Sequence, residues 1–206
     1  MSGPGKHSEA GAEGHAPHMD PVTAREAATL GIWTFIATEV LLFGGLFTAY
    51  IVYRIRYPRM FFLDHLELNR VLGAVNTVVL ICSSLTVALG IAAIRQGRVR
   101  ALRICLLLTI LLAATFLGIK YVEYMDKFSH GITPATDIFF SLYFMLTGLH
   151  GIHVLAGMAV LGGVFLLAGR GKYSESYHTP VEISGLYWHF VDLVWIYLFP
   201  LLYLVG

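Results

Sequence analysis

Charge is scarce in this 206-residue chain: Lys, Arg, Asp and Glu together make up 13% of it. A soluble globular domain carries roughly 25%, so the composition argues against one. The net charge is +1 with His neutral, which implies no nucleic-acid or acidic partner. Cysteine is scarcer still. Cys82 and Cys105 lie in separate apolar runs with no C-x-x-C spacing, so they read as small buried hydrophobes and not as a metal or redox pair. Residues 1–26 lack the apolar core of a signal peptide. They are polar, rich in Gly, Ala and His, and broken by Pro4, Pro17 and Pro21. Such a segment buries too little surface to fold alone and is expected to be a flexible cytoplasmic tail. His7, His15 and His18 within it are metal-capable residues without a fixed geometry.

What is present is apolar sequence. Hydrophobic residues make up 57% of the chain, and mean hydropathy is +0.71. Five apolar runs stand out, at about 27–53, 69–94, 101–124, 137–168 and 181–205. Each is long enough to cross a bilayer as a helix, because lipid offers the backbone no other hydrogen-bond partner. The segments between them are a polar stretch from Arg54 to about Leu68, a basic turn at 95–100, and loops over 126–136 and 169–180. The expected fold is therefore all-α: a polytopic membrane protein, one bundle of five transmembrane helices over 27–206. Five spans put the two ends on opposite faces. Lys6, Arg25, Arg95, Arg98, Arg100, Arg103, Arg170 and Lys172 fall on the N-terminal side, against Arg54, Arg56, Arg59, Arg70 and Lys127 on the other. The positive-inside rule then puts the N-terminus in the cytoplasm and the C-terminus outside.

Polar residues inside such runs are costly and face protein or water. Glu39 lies near the middle of the first run, His150 and His153 near the middle of the fourth, and Asp192 near the middle of the fifth, with His189 a turn away. Their depths are compatible with one polar layer. A midplane acid is stable either protonated or paired, and His153 or a lipid amine are the candidate partners of Glu39. Glu123 lies near the outer end of the third run, where it can pair with Lys120 on its own helix or snorkel to water. Several chemistries use such residues. Haem would need facing histidines, and His150 and His153 sit three apart on one helix, so they cannot both bind one iron; His153 with His189 remains open. A small proton-coupled transporter would also place Glu, Asp and His at midplane, although no inverted repeat is visible. The plain alternative is hydrogen bonding between packed helices. Trp195 is too deep for an interfacial belt and reads as a packing residue.

The last run contains Trp188-His189-Phe190-Val191-Asp192 followed by Val194-Trp195. This resembles the final helix of subunit III of the haem-copper oxidases, the cytochrome c and quinol oxidases. The other runs resemble that family in order: Glu39 ahead of Phe43-Gly44-Gly45, Asn76-Thr77 with Ser83-Ser84, Lys120 to Glu123-Tyr124, and Thr147-Gly148-Leu149-His150-Gly151-Ile152-His153-Val154. The resemblance covers 30–205. It implies a five-helix subunit, as in shorter bacterial members; longer members have seven helices, with a lipid cleft between the first two and the rest. It implies a chain with no haem, copper or other metal of its own and no catalytic residue, docked on the catalytic subunit I beside other oxidase subunits in the bacterial cell membrane. Haem and copper are expected in those partners. Supporting proton uptake, protecting against turnover inactivation and binding phospholipid are the implied roles, with Glu39, His150, His153, His189, Asp192 and Glu123 as the lipid- or proton-related candidates. An adjacent subunit with a copper-binding Cys-His-Met cluster would select cytochrome c as donor, and one without it quinol. An accessory subunit of a nitric oxide reductase is the alternative within reach of the same resemblance.

Overall fold

The computed structural model describes residues 21–205. The elements in order are α1 (Pro21–Arg56), α2 (Pro58–Asp64), a 3-10 turn (His65–Glu67), α3 (Arg70–Ile94), α4 (Val99–Ser129), α5 (Ile138–Gly169), α6 (Thr179–Phe199) and a π-turn (Pro200–Leu204). No strand occurs among the described residues. Five helices are long and apolar enough to cross a membrane, as the five runs imply.

The helices overrun the apolar runs at their polar ends. α1 starts at Pro21, ahead of the expected start at 27, and α4 continues to Ser129, through residues read as loop. Nothing in those segments breaks a helix, and hydropathy marks where lipid ends, not where the helix does. The tail histidines His7, His15 and His18 lie outside the described residues. The polar stretch after α1 folds into α2, which begins at Pro58, where a missing N–H costs nothing. Asn69 caps α3 by accepting from the amides of Val71 and Leu72, and Asp137 caps α5 by accepting from Phe140. After α4 and α5 the chain reverses through Gly131 (φ 75°) and Gly171 (φ 71°), a left-handed conformation that side chains with a Cβ resist.

α3 and α4 form a tight hairpin. α5 packs on α4, and α6 closes the set by packing on both α3 and α5; α1 lies outside, against α5 and α6. α6 is the central element: 56% of its apolar window is buried, against 11% for α1. Two indoles pin it to α3. Trp188 Nε1 donates to Ser83 Oγ at 3.0 Å, and Trp195 Nε1 donates to Thr77 Oγ1 at 3.1 Å. Phe116 of α4 meets the Trp195 ring edge-on at 4.8 Å. Both tryptophans are fully buried, so Trp195 is a packing residue and not part of an interfacial belt.

Candidate functional site

Glu39 on α1 faces His153 on α5, with Glu39 Oε2 2.9 Å from His153 Nε2. The other ring nitrogen, Nδ1, lies 2.8 Å from the Leu149 carbonyl one turn earlier. A carbonyl only accepts, so Nδ1 carries a hydrogen. The proton between Nε2 and the carboxyl then belongs to either group, and the pair is neutral overall in both cases. That resolves the cost of an acid at this depth. Phe43 packs edge-on against the His153 ring at 5.3 Å, and Tyr187 Oη of α6 donates to the His153 carbonyl at 3.1 Å. The pair thus joins three helices.

The remaining polar residues do not extend this pair into one layer. His150, three residues before His153, turns into the core, its ring tilted 32° from that of Trp195 and edge-on to Phe116. Both its ring nitrogens lack hydrogen-bond partners among the described residues. His189 Nδ1 instead meets Ser84 Oγ of α3 at 2.6 Å. Asp192 is buried in the groove that Ser84 also lines, and neither carboxyl oxygen has a hydrogen-bond partner among the described residues. The five residues therefore fall into three separate places: the α1–α5 seam, the bundle centre, and the α3–α6 seam. Residues three apart differ by only about 60° around a helix, so His189 and Asp192 share the α3–α6 seam, whereas on α5 that angle straddles two neighbours and His150 and His153 meet different ones.

Glu123 is the most completely partnered group. Lys120 Nζ donates to Glu123 Oε2 at 2.9 Å, Tyr143 Oη at 3.1 Å and Tyr203 Oη at 2.9 Å. Both hydroxyls donate onward to Glu123 Oε1, at 3.0 and 2.6 Å. All three ammonium hydrogens and both carboxylate oxygens are used, and the rings of Tyr124 and Trp195 flank the cation at 5.3 and 5.4 Å. Glu123 pairs on its own helix as expected, but buried at 2% exposure, not snorkelling to water. Nearby, at the ends of the spans, Lys127 Nζ donates to the Glu67 carbonyl, and Arg70 Nη2 donates to His65 Nε2 at 2.9 Å. Partial burial, with Asp137 and Glu67 adding repulsion, pushes the Asp64 carboxyl up to about 6.

A groove of about 1400 Å³ runs between the N-terminal half of α1 and the faces of α5 and α6. Trp33, Phe35, Val160, Ile183 and Tyr187 line it, with Arg25 at its mouth. Phe35 precedes Glu39 by one helical turn and Ala156 follows His153 by three residues, so the groove ends next to the Glu39–His153 pair. At the mouth, Glu182 accepts from Arg95 Nε and Nη2 at 2.9 and 2.7 Å, with His178 Nε2 at 3.3 Å and Arg25 Nη2 at 3.9 Å.

Residues 7–206 match the family described as cytochrome c oxidase subunit III. The chain belongs to that family. It is 36% identical over 180 residues to cytochrome c oxidase subunit 3 of Thermostichus vulcanus, covering 85% of this chain and 86% of that one. It is 37% identical over 194 residues to the subunit of the same name from Synechocystis sp., covering 94% and 80%. It is 33% identical over 178 residues to quinol oxidase subunit 3 of Bacillus subtilis, covering 86% of each. In this subunit III chain the resembling segments of α1, α3, α4, α5 and α6 all converge on α6, which carries the Trp-His-Phe-Val-Asp stretch.

Sequence reasoning missed Tyr143 and Tyr203, the two shields of the Lys120–Glu123 pair, and Ser84, the partner of His189. The available signal was one of depth: two Tyr and a Lys–Glu pair all near the same end of their runs.

Proposed function

We propose that this chain is the non-redox third subunit of a respiratory haem-copper terminal oxidase, seated beside the catalytic subunit I in a bacterial cell membrane. The match along residues 7–206 carries the reading. The geometry supports it in a specific way: His153 is held by Glu39 and Leu149, His189 by Ser84, and His150 lies against Trp195 and Phe116. No two of the three face each other, as axial ligands of one haem would have to. Oxygen reduction and its haem and copper then belong to partner subunits. The excess of basic residues on the N-terminal side supports a cytoplasmic position for Arg25, Arg95 and the groove mouth.

Within that complex the α1–α5–α6 groove is the phospholipid site. Its apolar walls suit acyl chains, and Arg25 at the cytoplasmic mouth suits a phosphate. The Glu39–His153 pair at its inner end keeps α1 on the bundle and holds one exchangeable proton, which ties lipid occupancy to support of proton uptake. The test is purification of the tagged chain from its host membrane. Haem, copper and oxygen consumption should copurify with it, and phospholipid should be released by Arg25→Glu with Trp33→Ala. Recovery of the chain without haem would overturn the assignment.

A further inference from the structure

A second groove, of about 400 Å³, opens on the opposite side of α6, along its seam with α3. Its walls are Ile81, Leu85, Leu193 and Ile196, and its floor is Ser84, Ala88, His189 and Asp192. Three features of this groove point to one kind of occupant. First, the wall residues are about half exposed, so nothing among the described residues covers the groove: Ile81 is 52% exposed, Leu85 59%, Leu193 51% and Ile196 46%. Second, α3 carries small residues there at a spacing of four, Ser84, Ala88 and Ala92. Such a stripe lets another helix approach to backbone distance. Third, Asp192 on the floor is only 3% exposed, and neither of its oxygens has a hydrogen-bond partner among the described residues. Of the neighbouring hydroxyls, Ser83 donates to the Leu80 carbonyl, and Ser84 Oγ pairs with His189 Nδ1.

A buried carboxyl without a partner is costly, and in lipid it has no water to turn to. Whatever fills the groove can bring that partner. Depth narrows the choice. Asp192 lies halfway along the span Thr179–Leu204, where phospholipid headgroups do not reach. Acyl chains reach it but donate nothing. A polar side chain on a neighbouring transmembrane helix does both, filling the groove with its apolar face and donating to the acid.

We infer that the α3–α6 groove is the docking face for a transmembrane helix of a partner oxidase subunit, which supplies a hydrogen-bond donor to Asp192. The inference rests on the subunit reading above. The test uses the assembled oxidase, purified through a tag on this chain. Ala88→Trp fills the groove floor, and Leu111→Trp, on the exposed face of α4, is the control. Haem retained per tagged chain should fall by about tenfold or more in Ala88→Trp and stay at the wild-type level in Leu111→Trp. Wild-type retention in Ala88→Trp would overturn the inference. A benzophenone side chain at Leu193 gives an independent reading that does not depend on how well the variant folds. Its crosslink should go to a partner polypeptide. Crosslinking only to lipid, or to a quinone, would overturn the inference and leave the subunit reading standing. A wild-type chain that purifies without haem would sink both.

Discussion

A proton shared between Glu39 and His153 makes their amide and alkyl replacements behave differently. Gln at position 39 keeps a donor for His153 Nε2, so Glu39→Gln should leave assembly and initial turnover of the purified oxidase nearly unchanged. Glu39→Ala strands the ring nitrogen and should cost about 1–3 kcal/mol, read as a lower melting temperature and lost bound phospholipid. Oxygen reduction abolished from the first turnover in Glu39→Gln would instead put the residue on an obligatory proton path. The Lys120–Glu123 pair is a larger liability. Glu123→Gln leaves a buried ammonium uncompensated and should destabilise the fold by about 3–5 kcal/mol. Tyr203→Phe removes one shield only and should cost less, and thermal melts of the two variants in one detergent give the order. This scale is where the sequence is least legible. Depth along a run is all that the sequence supplies for Glu39, Glu123 and Asp192, and rotation about each helix axis decides the partner. His153 is named in advance as a partner for Glu39 because two residues at one depth on different helices suffice. Ser84, Tyr143 and Tyr203 are not, since each depends on how two helices are turned toward each other.

Between helices, close approach is set by glycine. A Cβ on Gly157 would sit 2.7 Å from the Trp188 ring, and that ring is fixed by Ser83. Gly157→Ala should therefore push α5 from α6 and cost about 1–3 kcal/mol. Gly151 has open space and should tolerate the same change, which makes a paired melting experiment decisive. The existence and order of the five spans were legible because hydropathy and length are properties of each run alone. The short α2 and the extra turns of α1 and α4 were not, because those residues are polar and lie outside the lipid. The segment between α1 and α3 also carries a pH response. Asp64 has its folded value raised from 3.8 to about 6, so the folded state holds a proton that the unfolded state has released. Stability contributed by this group is present at low pH and lost as pH rises through that window. Asp64→Asn should then melt higher than wild type at about pH 7.5, with the gap narrowing at about pH 5.

At the scale of the molecule, α3 to α6 form a closed set and α1 is held from one side, so the two grooves flank α6 on opposite faces. The α1–α5–α6 groove opens at the end of the bundle that holds Arg25, and the α3–α6 groove opens halfway along α6. The Lys120 cluster has a further consequence, which concerns synthesis. Its ammonium and carboxylate sit three residues apart on α4, whereas the Tyr203 hydroxyl that seals them is 80 residues downstream of Glu123. At about 5–20 residues per second, that gap lasts roughly 4–16 s. During it α4 is already apolar enough to leave the translocation channel, while its ion pair is still missing one of its two phenol lids. The ion pair of α4 is thus complete only once the residues after α6 are made, and a chain truncated between the two carries the pair without its Tyr203 lid.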